Sequence, residues 1–183
     1  MSENATLRMN IDLDDSVAGT VTDFCEYLNK IHLPVFRGIK RYDFRDYSIA
    51  YVMGWDRQED QKYHTGFARS EYYNRINPYP GSVEGLQQVE QMLVPDLVTS
   101  RRIQRKKATV DWVGQNHPNI FGERVYVIGP AEGPLGSKAP FCRDKMYSIG
   151  VEDQIQHAVE MSRIGIFMVL LDSPWNQDFD DTL

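Results

Sequence analysis

The chain carries only two cysteines, Cys25 and Cys142, in 183 residues. One pair cannot build a disulfide scaffold, and their separation is not that of metal ligands, so both are expected as buried or free thiols in a reducing compartment. Long hydrophobic runs are missing as well: the longest, near 166–171, is far too short to cross a bilayer. No basic, apolar leader opens the chain, and a cytoplasmic location with no membrane partner is expected. The four histidines, His32, His64, His117 and His157, share no ligand spacing such as His-x-x-x-His, which speaks against a zinc site. Positive charge is in deficit, with 20 Lys and Arg against 26 Asp and Glu. That balance speaks against a nucleic-acid partner, although Arg101, Arg102, Arg105, Lys106 and Lys107 crowd one stretch of seven residues. Internal repeats and low-complexity linkers are absent; only the acidic stretch 178–181 reads as a solvated end.

What remains suits one globular domain with room for a small appendage: 42% hydrophobic residues and a net charge of −6. Short apolar runs read as five strands, one ending near Asp12 and others near 93–100, 124–129, 147–153 and 166–171. Between them, residues spaced by three and four predict helices. Val17, Val21, Phe24, Cys25, Leu28 and Ile31 form one face, and Val83, Leu86, Val89 and Met92 a second. Ala108, Val110, Trp112 and Val113, then Ile155, Ala158, Val159 and Ile164, supply two more. The alternation predicts an α/β fold, a Rossmann-like, mostly parallel five-stranded sheet with helices on both faces. In such sheets ligands bind beyond the carboxyl ends of the strands.

Chemistry-bearing residues fall at those ends. In Ile11-Asp12-Leu13-Asp14-Asp15-Ser16 two carboxylates stand two residues apart, so in extended chain both reach the same side while Leu13 points back. A divalent cation is the usual means of keeping such a pair ionised and oriented. The same residues also suit a helix N-terminus, with Asp14, Asp15 or Ser16 as the cap. Thr99 and Ser100 end the second strand with hydroxyls able to bond a phosphate oxygen. Lys138 follows a loop containing Pro130, Gly133, Pro134 and Gly136, and can neutralise a transferring phosphoryl group. Glu152 and Asp153 end the fourth strand with a second acidic pair.

In this order the residues resemble the four motifs of the haloacid dehalogenase-like superfamily of phosphotransferases. Asp12 and Asp14 match its Asp-x-Asp, Thr99 its Ser/Thr, Lys138 its lysine, and Glu152-Asp153 its acidic pair. Within the superfamily the chain looks most like the 5'(3')-deoxyribonucleotidase group. Three features carry that look: the Val17-Ala18 step after Asp-x-Asp, Asn77-Pro78-Tyr79-Pro80-Gly81 ahead of a helix, and Leu171-Asp172-Ser173-Pro174-Trp175-Asn176. It departs from that group where Asp15-Ser16 stands for Gly-Val and Gly19-Thr20 for an acidic-aromatic pair.

The resemblance implies a core from residues 1–30 and 81–183, with a small helical cap, 31–80, inserted after the first strand-helix unit. That interval mixes Phe36, Tyr42, Phe44, Tyr47, Tyr51, Trp55, Tyr63, Phe67, Tyr72 and Tyr73 with Arg37, Arg41, Arg45, Arg57 and Arg69. Most of these aromatics are expected in the cap's own core. Phe44, Trp55 and Phe67 are candidates for stacking on a base, and Arg101 for contacting substrate.

The activity implied is magnesium-dependent phosphomonoester hydrolysis through a phosphoaspartate. Asp12 would be the nucleophile and Asp14 the acid and base. Mg2+ would be held by Asp12, Asp14 through its backbone carbonyl, and Asp153, while Thr99, Ser100 and Lys138 bind phosphate. Asp15 and Glu152 would support them, Glu152 by orienting Lys138 or a metal-bound water. The substrate implied is a small phosphorylated metabolite such as a deoxynucleoside monophosphate, and a homodimer is left open. The competing reading is a catalytically idle domain of the same fold that binds a phosphorylated ligand or a protein partner.

Overall fold

The structure, a computed structural model, describes residues 7–31, 36, 38–46, 48–131 and 136–177. His32, Arg37, Tyr47, Gly133, Pro134 and the stretch 178–181, all named above, lie outside them. Five strands form one parallel sheet: β1 (Arg8–Ile11), β2 (Val94–Arg102), β3 (Val125–Gly129), β4 (Ile149–Glu152) and β5 (Phe167–Leu170). Their order is β3-β2-β1-β4-β5. The chain therefore winds outward from β1 through β2 to β3, then returns to the other side of β1 for β4 and β5. The reversal beside β1 leaves a crevice at its carboxyl end, where open α/β sheets bind ligands.

Among the described residues eight α-helices accompany the strands: α1 (Thr20–Ile31), α2 (Ile49–Met53), α3 (Arg57–Arg69), α4 (Glu71–Asn74), α5 (Ser82–Glu90), α6 (Lys106–Asn116), α7 (Ala139–Asp144) and α8 (Ile155–Ser162). No helix among the described residues is long and apolar enough to cross a membrane. The chain divides into two compact units, Met1–Val17 with Pro78–Leu171, and Ala18–Asn77 with Asp172–Leu183.

The first unit holds the whole sheet and α5 to α8. Central β1 is paired on both edges, Ile11 opposite Leu97 of β2 and Val151 of β4, which is why its last three residues are all buried. Val98, Cys142, Tyr147, Met161 and Ile166 make a core cluster with Ala139. A polar exception sits within β2, where the enclosed Asp96 accepts from Arg8 and from the Tyr147 hydroxyl at 2.6 Å, with Arg124 Nε 3.4 Å away. A buried carboxylate is tolerable when cations and donors surround it in this way.

Between Thr99 and Arg102 the pairing of β2 with β3 changes register: Thr99 faces Val127 and Arg102 faces Gly129. Three steps on β2 thus match two on β3, a bulge. Gly129 permits it, because a Cβ there would strike the carbonyl oxygens of Ser100 and Arg101. Bulges bend a strand and re-aim its side chains.

The second unit is built on aromatic packing. Phe24 of α1 stacks on His64 at 4.8 Å and meets Phe67 edge-on at 5.1 Å, both from α3. Helix α3 begins at a reciprocal cap: Asp56 accepts from the Gln58 and Glu59 N–H groups, and Glu59 accepts from the Asp56 N–H. Trp175, from the Ser-Pro-Trp-Asn segment, packs with Val21, Cys25 and Phe44, and the Arg41 guanidinium lies 4.7 Å over its ring.

Several expectations are corrected here. Helix α1 starts at Thr20, so Val17 is buried but lies outside it, and Ile31 is exposed. Asp14 makes an isolated bridge, Asp15 and Ser16 lie in the turn after it, and none of the three is the residue before α1 that would be its N-cap. Met92 and Ile164 fall beyond the ends of α5 and α8. The short helix α7, directly after Lys138, was not read from the sequence, because six residues are too few to show a helical period.

Candidate active site

Every motif residue of the candidate site belongs to the first unit. Asp12 follows the last residue of β1, and its N–H donates to the Val151 carbonyl of β4 at 3.0 Å, continuing the sheet by one bond. This fixes the backbone from which its carboxylate projects, 3% exposed. Glu152 closes β4 and Asp153 follows it; the Leu171 N–H bonds the Glu152 carbonyl at 2.7 Å. Carboxylate oxygens of Asp12, Glu152 and Asp153 lie within 4.8 Å of one another.

Lys138 reaches this cluster from the residue before α7. Its ammonium donates to Asp12 Oδ1 and, at 2.6 Å, to Glu152 Oε1. The adjoining backbone is fixed by the helix, whose Cys142 N–H bonds the Lys138 carbonyl at 3.0 Å. Ser137 accepts from the Ala139 N–H at 3.0 Å.

Asp14 faces a different partner. Its two oxygens take a forked contact from Arg101, Nη2 to Oδ1 at 2.6 Å and Nε to Oδ2 at 2.9 Å. Arg101 lies within the β2 bulge, and its N–H donates to Thr99 Oγ1 at 3.2 Å. With that lone pair occupied, the Thr99 hydroxyl proton is left for an acceptor elsewhere. Thr99 stands two residues past the Ile11–Leu97 pair, at the same end of the sheet as Asp12.

The electrostatics follow from burial and crowding. Burial raises the Asp12 carboxyl above its ordinary value, Asp14 adds to the rise, and Lys138 opposes it. Burial and Asp12 push Glu152 up to about 8 despite Lys138. Asp153 is raised well above a normal aspartate by burial, then by Asp12, Asp15 and Glu152. Burial alone would lower the Lys138 ammonium, but Asp12 and Glu152 together hold it above a free lysine. The site is therefore overloaded with carboxylates, which a bound cation would relieve.

A magnesium ion fits this donor set. The three clustered groups are hard oxygen ligands, and Glu152 Oε2 is buried without a hydrogen-bond partner. Asp12 and Asp153, two of the expected ligands, stand in this cluster beside Glu152; Asp14, expected to offer its backbone carbonyl, has its carboxylate engaged by Arg101. The acidic pair after the fourth apolar run already marks Glu152 for this region, and its bond from Lys138 fits the supporting role expected of it.

The remaining candidates are placed as follows. Ser100 lies in the bulge with its hydroxyl buried and without a hydrogen-bond partner, and Asp15, 3% exposed, adopts a positive φ of 56°. Phe44 is completely buried and Phe67 4% exposed. Trp55 packs on Tyr63 at 4.5 Å and edge-on to Phe24 and Phe36. Phe44 and Phe67 thus form the core of the second unit, and neither offers an open face to a base.

No family model matches the sequence, and no curated protein matches it either. Solved structures do. A haloacid dehalogenase superfamily hydrolase of subfamily IA from Geobacter sulfurreducens is 10% identical, with 96% of this chain and 97% of that one covered and a TM-score of 0.59. An L-2-haloacid dehalogenase from Xanthobacter autotrophicus is 12% identical over 91% of this chain and 77% of that one, TM-score 0.59. A haloacid dehalogenase family hydrolase from Deinococcus radiodurans with bound phosphate and sodium is 11% identical over 91% and 80%, TM-score 0.55. At these identities the likeness is one of fold, and the fold is the Rossmann-like α/β fold of haloacid dehalogenase-like hydrolases.

Proposed function

We propose that the protein is a magnesium-dependent phosphomonoester hydrolase that works through a phosphoaspartate at Asp12. One observation carries the reading: a buried carboxylate at the carboxyl end of the central strand, bonded by Lys138 and grouped with Glu152 and Asp153. Neighbours of the same fold include hydrolases, one of them with bound phosphate.

In this mechanism Asp12 attacks phosphorus, and the bond to the leaving oxygen breaks as Asp14 gives that oxygen its proton. Asp14 then takes a proton from water, which attacks the acyl phosphate and restores Asp12. Lys138 holds one Asp12 oxygen and balances charge on the transferred group, and Thr99 donates to it. Asp12, Glu152 and Asp153 would hold Mg2+, whose contribution is to offset the negative charge gathered between nucleophile and phosphate. Asp14 separates this reading from carbon–halogen hydrolysis, which has no alkoxide to protonate.

In this proposal the interval 31–80, expected as a cap from the resemblance, chooses the leaving group. A deoxynucleoside monophosphate remains the substrate to test first, on the sequence features given above; with Phe44 and Phe67 enclosed, recognition of a base falls to other side chains. Purified protein with Mg2+ is expected to release phosphate from members of a phosphomonoester panel, and chelation to stop it. Asp12→Asn is expected to abolish release; an active Asp12→Asn removes the covalent mechanism, and a silent panel with a magnesium-dependent thermal shift supports the idle binder instead.

A further inference from the structure

Arg101 was expected to contact substrate, yet its guanidinium is spent on Asp14. The Arg101 side chain is 9% exposed and that of Asp14 28%. An exposed pair of this kind contributes little, but a forked one whose arginine is nearly enclosed orients its partly exposed aspartate. Asp14 sits past the end of β1, where the chain turns away, and an aspartate there would sample several rotamers. The fork, with Nε also 3.2 Å from Oδ1, confines it to one. What aims the arginine is the β2 bulge seated over Gly129.

We propose that Arg101 is a positioning residue for Asp14: the fork takes one lone pair of each oxygen, the proton that Asp14 delivers passes from the bound phosphomonoester monoanion to a lone pair outside the fork and on to the leaving-group oxygen, and the contact, by holding the carboxyl in place for this, sets how well the enzyme expels poor leaving groups. The inference rests on the phosphatase reading and goes beyond it. Protonation matters most when the departing oxygen is a strong base, as in an alkyl phosphate, and least for a stabilised phenolate. Loss of the positioned acid therefore falls unequally on the two substrate classes. General acid catalysis contributes roughly 10²- to 10⁴-fold, which bounds the effect.

The test measures kcat and KM, with Mg2+, on p-nitrophenyl phosphate and on an n-alkyl phosphate for wild type, Arg101→Gln and Arg101→Lys. Arg101→Gln is expected to lose at least about tenfold more kcat on the alkyl ester than on the aryl ester, with KM moving less than kcat. Arg101→Lys is expected to recover part of the alkyl rate, because one N–H donor and the charge remain. Equal losses on both esters, with or without a lower melting temperature, overturn the proposal, since a purely structural role has no preference between them. A rise in KM on both with kcat kept overturns it in favour of direct phosphate contact. Wild type that cleaves neither ester overturns this proposal together with the phosphatase reading, whereas an active wild type with an unchanged alkyl-to-aryl ratio in Arg101→Gln overturns this one alone.

Discussion

Lys138 donates its ammonium to the Asp12 carboxylate in the interior of the protein, where the two side chains are 2% and 4% exposed. Each makes the other tolerable, for neither charge has water to turn to. Removing one partner of a buried pair leaves the other uncompensated, at a cost of about 3–5 kcal/mol. Lys138→Met is expected to destabilise by that order at pH 7, read from urea denaturation, since Asp12 loses its cation and Glu152, raised to about 8, loses its donor. It is also expected to abolish phosphate release. A variant as stable as the wild type would show that the ammonium does not hold the carboxylates together.

Raised carboxyls give the metal-free protein a definite pH response. Glu152 moves from 4.5 when unfolded to about 8 when folded, so the folded state holds the extra proton. Its contribution is present below about pH 4.5 and is lost as pH rises through about 8, with Asp12 and Asp153 acting in the same direction. Metal binding requires the ionised forms. Magnesium is therefore expected to raise the melting temperature more at pH 8 than at pH 5.5, and Asp153→Asn to weaken that rise. An equal shift at both pH values would place the ion elsewhere.

Much of this arrangement is legible in the amino-acid sequence, for reasons that differ from part to part. The five strands are visible because a parallel sheet covered by helices demands short apolar runs, and Asp12, Thr99, Lys138, Glu152 and Asp153 follow from their place at the run ends. The partner of Asp14 is not legible. Arg101 lies 87 residues away, in a basic stretch where it reads as a substrate contact, and the change of register in β2 that surrounds it leaves no pattern in the sequence. Phe44 and Phe67 illustrate the opposite ambiguity, since a ring that packs a core and a ring that stacks on a base look alike in a sequence. Their burial in the second unit decides between the two.

His117 should oppose the carboxyls. It is 1% exposed, both ring nitrogens are buried without hydrogen-bond partners, and it lies between the rings of Trp112 and Phe121. Burial lowers it from 6.5, so the neutral ring suits the fold and the unfolded chain binds the proton more readily. Its contribution is full above about pH 6.5 and is lost as pH falls below that value. His117→Leu removes two unsatisfied polar atoms and is expected to stabilise by roughly 1–2 kcal/mol at pH 5.5, and by less at pH 8. Denaturation of both proteins at the two pH values isolates this effect from the carboxyls, which the variant leaves alone; a difference that does not grow on acidification would sink it.

Gly129 ties the sheet to the chemistry. A methyl group at this position would strike the carbonyl oxygens of Ser100 and Arg101, backbone atoms that cannot swing aside as a flexible side chain would. To accept Gly129→Ala, the β2 bulge must shift, and Arg101 must shift with it. Overpacking of this kind costs about 1–3 kcal/mol, which thermal denaturation will register. The more telling result is kinetic: Gly129 touches neither Asp14 nor substrate in this account, yet its variant is expected to lose alkyl-phosphate turnover in the same direction as Arg101→Gln. If Gly129→Ala is destabilised while its alkyl-to-aryl ratio stays that of the wild type, the bulge is a packing feature and does not aim Arg101.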